Sequence, residues 1–178
     1  DVASIRAFKE HVPEQFRLLT YMFVHGSIWH LVGNMVFLFV FGDNVEDALG
    51  HVRFIIFYLL CGVIAAVVHS AVTVSPDVPL IGASGAIAGV IGAYVILHPH
   101  IRVWVLFPVP VLSFLPLRFS AAFVIGMWIM YQIASGIWLT GEATAWWAHV
   151  GGFFAGVLLI VVMRRPGVPL FDTATGVQ

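Results

Sequence analysis

Charge is scarce in this sequence. Only 10% of its 178 residues are Asp, Glu, Lys or Arg, and 61% are hydrophobic, whereas a soluble domain is about a quarter charged and about half apolar. That balance excludes an ordinary water-soluble fold and defines an integral membrane protein. Cysteine is nearly absent: Cys61 stands alone, which rules out an intrachain disulfide and a thiolate metal cluster. There is no HExxH, and His25 and His30 are five apart, a poor spacing for one helix face. A zinc protease is therefore disfavoured, and no metal is expected. No basic run offers a surface for nucleic acid, and the net charge is -1. Internal repeats and a second domain are also missing. The first residue is Asp1 rather than Met and no signal peptide is visible, so a leading piece is expected to be absent.

What remains is a series of apolar stretches. Residues 1–17 are mixed and polar, a surface segment. Leu18–Val24 is apolar but too short to cross a bilayer, and His25-Gly26-Ser27 interrupts it. Ser27 is a good N-cap, which predicts a helix from Ile28 to Phe41 or as far as Leu49, with Gly50 as the stop. One continuous helix from Leu18 to Phe41 is the competing reading; the break is preferred. Further spans are predicted at Phe54–Val74, Ser84–Leu97, Phe119–Leu139 and Trp146–Met163, which makes an all-α, polytopic membrane bundle of five visible spans. Between the third and fourth, Pro99, Pro108, Pro110 and Pro116 predict a Pro-broken loop lying in the interface. Beyond Arg164-Arg165-Pro166 the tail, residues 164–178, is expected to fray.

Cations fix the orientation. Arg53, Arg102, Arg118, Arg164 and Arg165 follow the first, third and fifth spans, whereas Ser75–Ala83 and Thr140–Ala145 hold no Lys or Arg. Positive residues stay cytoplasmic, so those two loops face outward, although Arg6, Lys9 and Arg17 run against the trend. Consecutive spans are antiparallel, so the first, third and fifth all begin on the outer side. Each carries unusual polar residues in its first two turns: His30 and Asn34, then Ser84, then His149. His30 and Asn34 are four apart and share a helix face. Polar side chains in a span are costly unless they pair or line water.

Ser84 opens a segment of roughly 22 Å at 1.5 Å per residue, shorter than the ~30 Å hydrocarbon core. Its hydroxyl therefore lies below the outer surface, behind a loop containing Pro79 and Gly82, and needs a wet, protein-lined cavity. Gly85-Ala86-Ile87-Ala88-Gly89 and Gly152-Phe153-Phe154-Ala155-Gly156 are both GxxxG patterns that let backbones approach closely. Packing of the two would bring Ser84 within reach of His149. A neutral imidazole can take the proton of a serine that attacks a carbonyl. Side-chain N–H groups of Asn34 and His30, with the backbone N–H of Ser84, are candidates to hold the resulting oxyanion. No acid is placed to orient His149, which points to a Ser–His dyad rather than a triad.

His25-Gly26-Ser27-Ile28-Trp29-His30-Leu31-Val32-Gly33-Asn34, the turn Gly82-Ala83-Ser84-Gly85, and Ala148-His149-Val150-Gly151-Gly152 together resemble the rhomboid family of intramembrane serine proteases. The resemblance runs from about Leu18 to Met163, a rhomboid-like membrane domain, with the motifs in order on alternating helices. It implies that Ser84 is the nucleophile and His149 the base, with His30 and Asn34 around the oxyanion. It also implies cleavage, without cofactor, of other proteins' membrane helices near their outer ends. Rhomboids have at least six spans, so the first family helix is expected to be missing. Some members stack an aromatic, one turn after the nucleophile, on the catalytic imidazole; here that position is Ala88, and Trp146 or Trp147 is a candidate to hold the ring of His149 instead.

Blander readings stand beside these. His30 and Asn34 could be a structural pair joining two helices, and His149 an interhelical hydrogen-bonding group. A non-catalytic member of the same fold would be expected to lack Ser84 or His149, and a transporter would show repeated halves. The preferred reading is a serine endopeptidase acting on single-span membrane proteins that enter sideways from lipid, with Thr140–Ala145 as a cover. Its place is the bacterial cell (inner) membrane, with the site opening to the outer side; the residues do not specify the oligomeric state.

Overall fold

The computed structural model describes residues 13–73, 79–107, 115–139 and 144–172. The polar start, residues 1–12, most of the expected cover, residues 140–143, and the last residues, 173–178, lie outside the described residues.

The chain enters through a short helix, α1 (Glu14–Thr20), which tightens into a 3-10 turn at Tyr21–Phe23. Val24 then turns extended, and Ser27, also extended, caps the next helix by accepting a hydrogen bond from the backbone N–H of His30 at 3.1 Å. The preferred break at His25-Gly26-Ser27 is thus present, and the continuous helix from Leu18 is not. From Ile28 the chain is helical to Leu49 (α2), and Gly50 both ends α2 and begins α3 (His51–Val72). Gly50 adopts φ +80°, a left-handed conformation that favours glycine, so two antiparallel spans join through one residue. α3 begins three residues earlier than the hydropathy alone predicts. Then come α4 (Ser84–Leu97), α5 (Ala121–Trp138) and α6 (Trp146–Met163). α2, α3, α5 and α6 are each long and apolar enough to cross a membrane, whereas α4 is a shorter apolar helix. The result is the helical membrane bundle expected.

α4 sits in the middle. Every residue from Gly85 to Tyr94 is buried, because α6 closes on it backbone to backbone and α3 closes on it through the small side chains of Cys61 and Ala65. A Cβ added at Gly156 would lie 1.8 Å from the carbonyl oxygen of Gly89, and one at Gly92 would lie 2.3 Å from that of Phe153. On the α3 side, a Cβ at Gly89 would meet Cys61 Sγ at 2.5 Å, and one at Gly151 would meet Val68 Cβ at 2.6 Å. In lipid, where no hydrophobic force drives helices together, such close packing supplies the attraction. α2 instead turns Val36, Phe39 and Val40 outward, with Phe39 83% exposed, as a lipid-facing surface requires.

Two expectations need correction. The ends of the Pro-rich stretch pair as an antiparallel hairpin, β1 (Arg102–Phe107) with β2 (Leu115–Ser120), Trp104 standing opposite Arg118. Residues 108–114 between them lie outside the described residues. Pro116 is tolerated because in a two-stranded ribbon both strands are edges. The Arg118 guanidinium rests over the Trp104 ring, 4.1 Å from its centroid. The tail, as far as Asp172, is also tied down. The N–H of Arg165 donates to Ala48 O (2.9 Å), that of Phe171 to Ile96 O (2.8 Å), and that of Asp172 to Leu97 O (2.8 Å). These bonds satisfy carbonyls that the ends of α2 and α4 leave open. Arg53 donates to Met163 O at 3.3 Å and Arg165 to Asp47 O, so both cations sit at helix C-termini, where the dipole favours them.

Candidate active site

Ser84 is the first residue of α4, and the loop before it is held to Tyr21, which is itself anchored on α3. The N–H of Gly82 donates to Tyr21 O at 3.0 Å, and the Tyr21 hydroxyl donates to Gly62 O at 2.8 Å. Gly82 has φ +105°, and a Cβ there would lie 2.6 Å from Cε1 and 2.7 Å from Nε2 of His30. Both its backbone and its surroundings require glycine, and the loop can therefore press against the His30 ring. A Cβ at Gly85 would lie 2.8 Å from Ala65 Cβ, and one at Gly152 would lie 1.9 Å from the carbonyl oxygen of Gly85. Immediately beside these contacts, His149 lies in the first turn of α6.

The imidazole of His149 has partners on both nitrogens. Nε2 is 2.9 Å from Ser84 Oγ, and Nδ1 is 2.7 Å from Gln132 Oε1. Gln132 comes from α5 and is 4% exposed. Two indoles flank the ring, Trp128 at 6.3 Å between centroids and tilted 35°, and Trp146 at 6.5 Å and edge-on. Trp146 was one of the two tryptophans singled out above for this place. Trp128 and Gln132 were not, although they are four apart and so share a face of α5. Their signal was a lone amide in an apolar span, which needs a partner there.

Ser84, His149, His30, Asn34, Trp128 and Gln132 all line one cavity of about 790 Å³. Asn34 is 7% exposed, and its Nδ2 is buried with no hydrogen-bond partner among the described residues. The ring of His25 packs edge-on against His30, with centroids 5.3 Å apart. Burial first, then the adjacent His30, holds His25 below the usual imidazole range, while a hydrogen bond with the Phe23 backbone works the other way. Among the described residues, no cluster of His, Cys, Asp or Glu could hold a metal ion.

One helical membrane bundle thus brings Ser84 and His149 into hydrogen-bond contact at a single cavity. The rhomboid domain model matches residues 13–166, and the chain belongs to the rhomboid family. It is 29% identical over 161 residues to the mitochondrial rhomboid protein 1 of Saccharomyces cerevisiae, covering 84% of this chain and 42% of that one. Against two Arabidopsis thaliana proteins, the mitochondrial rhomboid-like protein 6 and rhomboid-like protein 1, identity is 28%, covering 86% and 91% of this chain. The chain spans less than half the length of these relatives: 42%, 45% and 38% of them respectively.

Proposed function

We propose that this chain is an intramembrane serine endopeptidase that cuts peptide bonds in or next to transmembrane helices through a dyad of Ser84 and His149. The observation that carries the reading is the 2.9 Å contact between Ser84 Oγ and His149 Nε2 inside a cavity large enough for a substrate segment and water. His149 takes the Ser84 proton as Oγ attacks the carbonyl carbon, then returns it to the departing amine. Water repeats the sequence on the acyl-enzyme. The tetrahedral oxyanion is held by Asn34 and His30, and the Nδ2 of Asn34, without a partner among the described residues, supports that role as an available donor. Gly82, Gly85, Gly89, Gly152 and Gly156 serve the geometry: the first shapes the nucleophile's turn, Gly85 and Gly89 let α3 approach α4, and Gly152 and Gly156 let α6 meet it.

Substrates are membrane proteins whose spanning helix unwinds readily near one interface. A helical carbonyl is hidden in its own hydrogen bond until the segment opens, so small or helix-breaking residues lower the cost of attack. Residues 18–163 form the protease domain, embedded in lipid between a polar start and the tail. The membrane is the bacterial inner membrane, and the site opens to its outer side, since Arg53, Arg102, Arg118, Arg164 and Arg165 belong to the other end of the bundle, against Arg6 and Arg17 on the outer side. The test is labelling with a fluorophosphonate-linked fluorophore in liposomes. Wild-type labelling that vanishes in Ser84→Ala and weakens in His149→Ala is expected; equal labelling of all three would overturn the reading.

A further inference from the structure

A dyad leaves one question of chemistry open. Neutral imidazole carries a proton on only one nitrogen, and the base can accept from serine only if that proton is on Nδ1. If it sits on Nε2, the ring donates to Ser84 and cannot deprotonate it. Something must therefore select the tautomer, and among the described residues no carboxylate hydrogen-bonds to the ring.

We propose that Gln132 is the positioning residue of this site: its carbonyl Oε1 accepts from Nδ1–H of His149 and so leaves the Nε2 lone pair facing Ser84 Oγ. The proposal rests on the protease reading above. Four observations support it. The Gln132–His149 contact, at 2.7 Å, is shorter than the 2.9 Å contact to Ser84. Gln132 is 4% exposed, so water competes little for its carbonyl. The amide belongs to a different helix from both Ser84 and His149, so it fixes the ring from the side opposite the nucleophile. One turn earlier on the same face, Trp128 lies against the ring, which restrains its tilt where α4 offers only Ala88. α5 thus holds both the protonation state and the plane of the base.

A neutral amide differs from a carboxylate here in a specific way. It selects the tautomer as a carboxylate would, but it adds no charge to stabilise the imidazolium formed during attack. The titratable groups sharing the cavity with His149 are His30 from α2 and His69 from α3, and neither is an anion. In this site the oxyanion donors stabilise the negative charge formed during attack, and Gln132 contributes the tautomer and orientation of the ring without a countercharge to it.

Two measurements test this. In Gln132→Met, which keeps length and apolar bulk but removes the acceptor, the second-order rate of fluorophosphonate labelling is expected to fall about 10- to 100-fold, within what a positioned base supplies. In the wild-type protein in bilayers, ¹⁵N-histidine NMR, assigned by difference against His149→Ala, is expected to show the His149 proton on Nδ1, and Gln132→Met to lose that preference. A proton on Nε2 in the wild type overturns the proposal, as does a Gln132→Met protein that labels at the wild-type rate. The NMR arm stands even if Gln132→Met does not fold. Should the wild-type serine not label at all, the protease reading fails, while the spectrum still reports which way the Gln132 amide points.

Discussion

The carbonyl oxygen of Gly85 fills the space that a side chain at Gly152 would need: a Cβ there would be 1.9 Å away. The residue that follows the serine and a residue one turn past the histidine are thus in backbone contact, and the separation of the two reacting groups is set by main chain.

Gly152→Ala or Gly156→Ala should accordingly be far more damaging than an ordinary glycine replacement. Backbone cannot retreat as a flexible side chain can, so α4 and α6 must separate, at a cost of at least the roughly 1–3 kcal/mol typical of overpacking. Gly126→Ala in α5 is the control, because nothing lies within 4 Å of its Cβ position. Thermal unfolding in detergent should show a large loss for the first two and little or none for the third.

Asn34 should separate activity from stability. Its Nδ2 is buried without a partner among the described residues, so Asn34→Ala removes a desolvated donor that contributes nothing to the resting fold. The melting temperature is expected to hold or rise. If that donor meets the oxyanion, kcat for a cleaved membrane substrate should fall by about 10² or more, or about 3 kcal/mol, with KM little changed. A parallel loss of both stability and activity would mark Asn34 as a structural pair with His30 instead.

Gly82→Ala introduces two separate faults, the left-handed backbone and the collision with His30. Strain of the first kind costs on the order of 1–3 kcal/mol. The double variant Gly82→Ala with His30→Ala relieves only the second. Unfolding of the two singles and the double should therefore be non-additive, the double being more stable than the sum predicts.

Orientation can be read with thiols, since Cys61 is fully buried and offers no background. Trp104→Cys on the hairpin and Thr144→Cys before α6 lie at opposite ends of the bundle. In intact cells a membrane-impermeant maleimide is expected to modify the protein at position 144 and not at 104. The reverse pattern would invert the assignment of the outer side.

How far the sequence could be read follows the kind of signal each feature leaves. The break before α2 was legible because Ser27 caps it, and α4 because Pro79 and Gly82 precede it and Leu97 is followed by His98-Pro99. The hairpin was hidden by its own prolines, although Val103, Trp104 and Val105 carry strand propensity; a local rule against proline lost to pairing at an edge. The tail through Asp172 looked free because backbone hydrogen bonds to Ala48, Ile96 and Leu97 leave no trace in side-chain pattern. Gln132 escaped for a different reason: an amide in an apolar run has many possible neighbours, and only the packing of α5 against α6 selects His149.

The single-residue joint at Gly50 has a practical consequence. With no loop to absorb length, an insertion or affinity tag there would break the direct joint between α2, which carries His30 and Asn34, and α3.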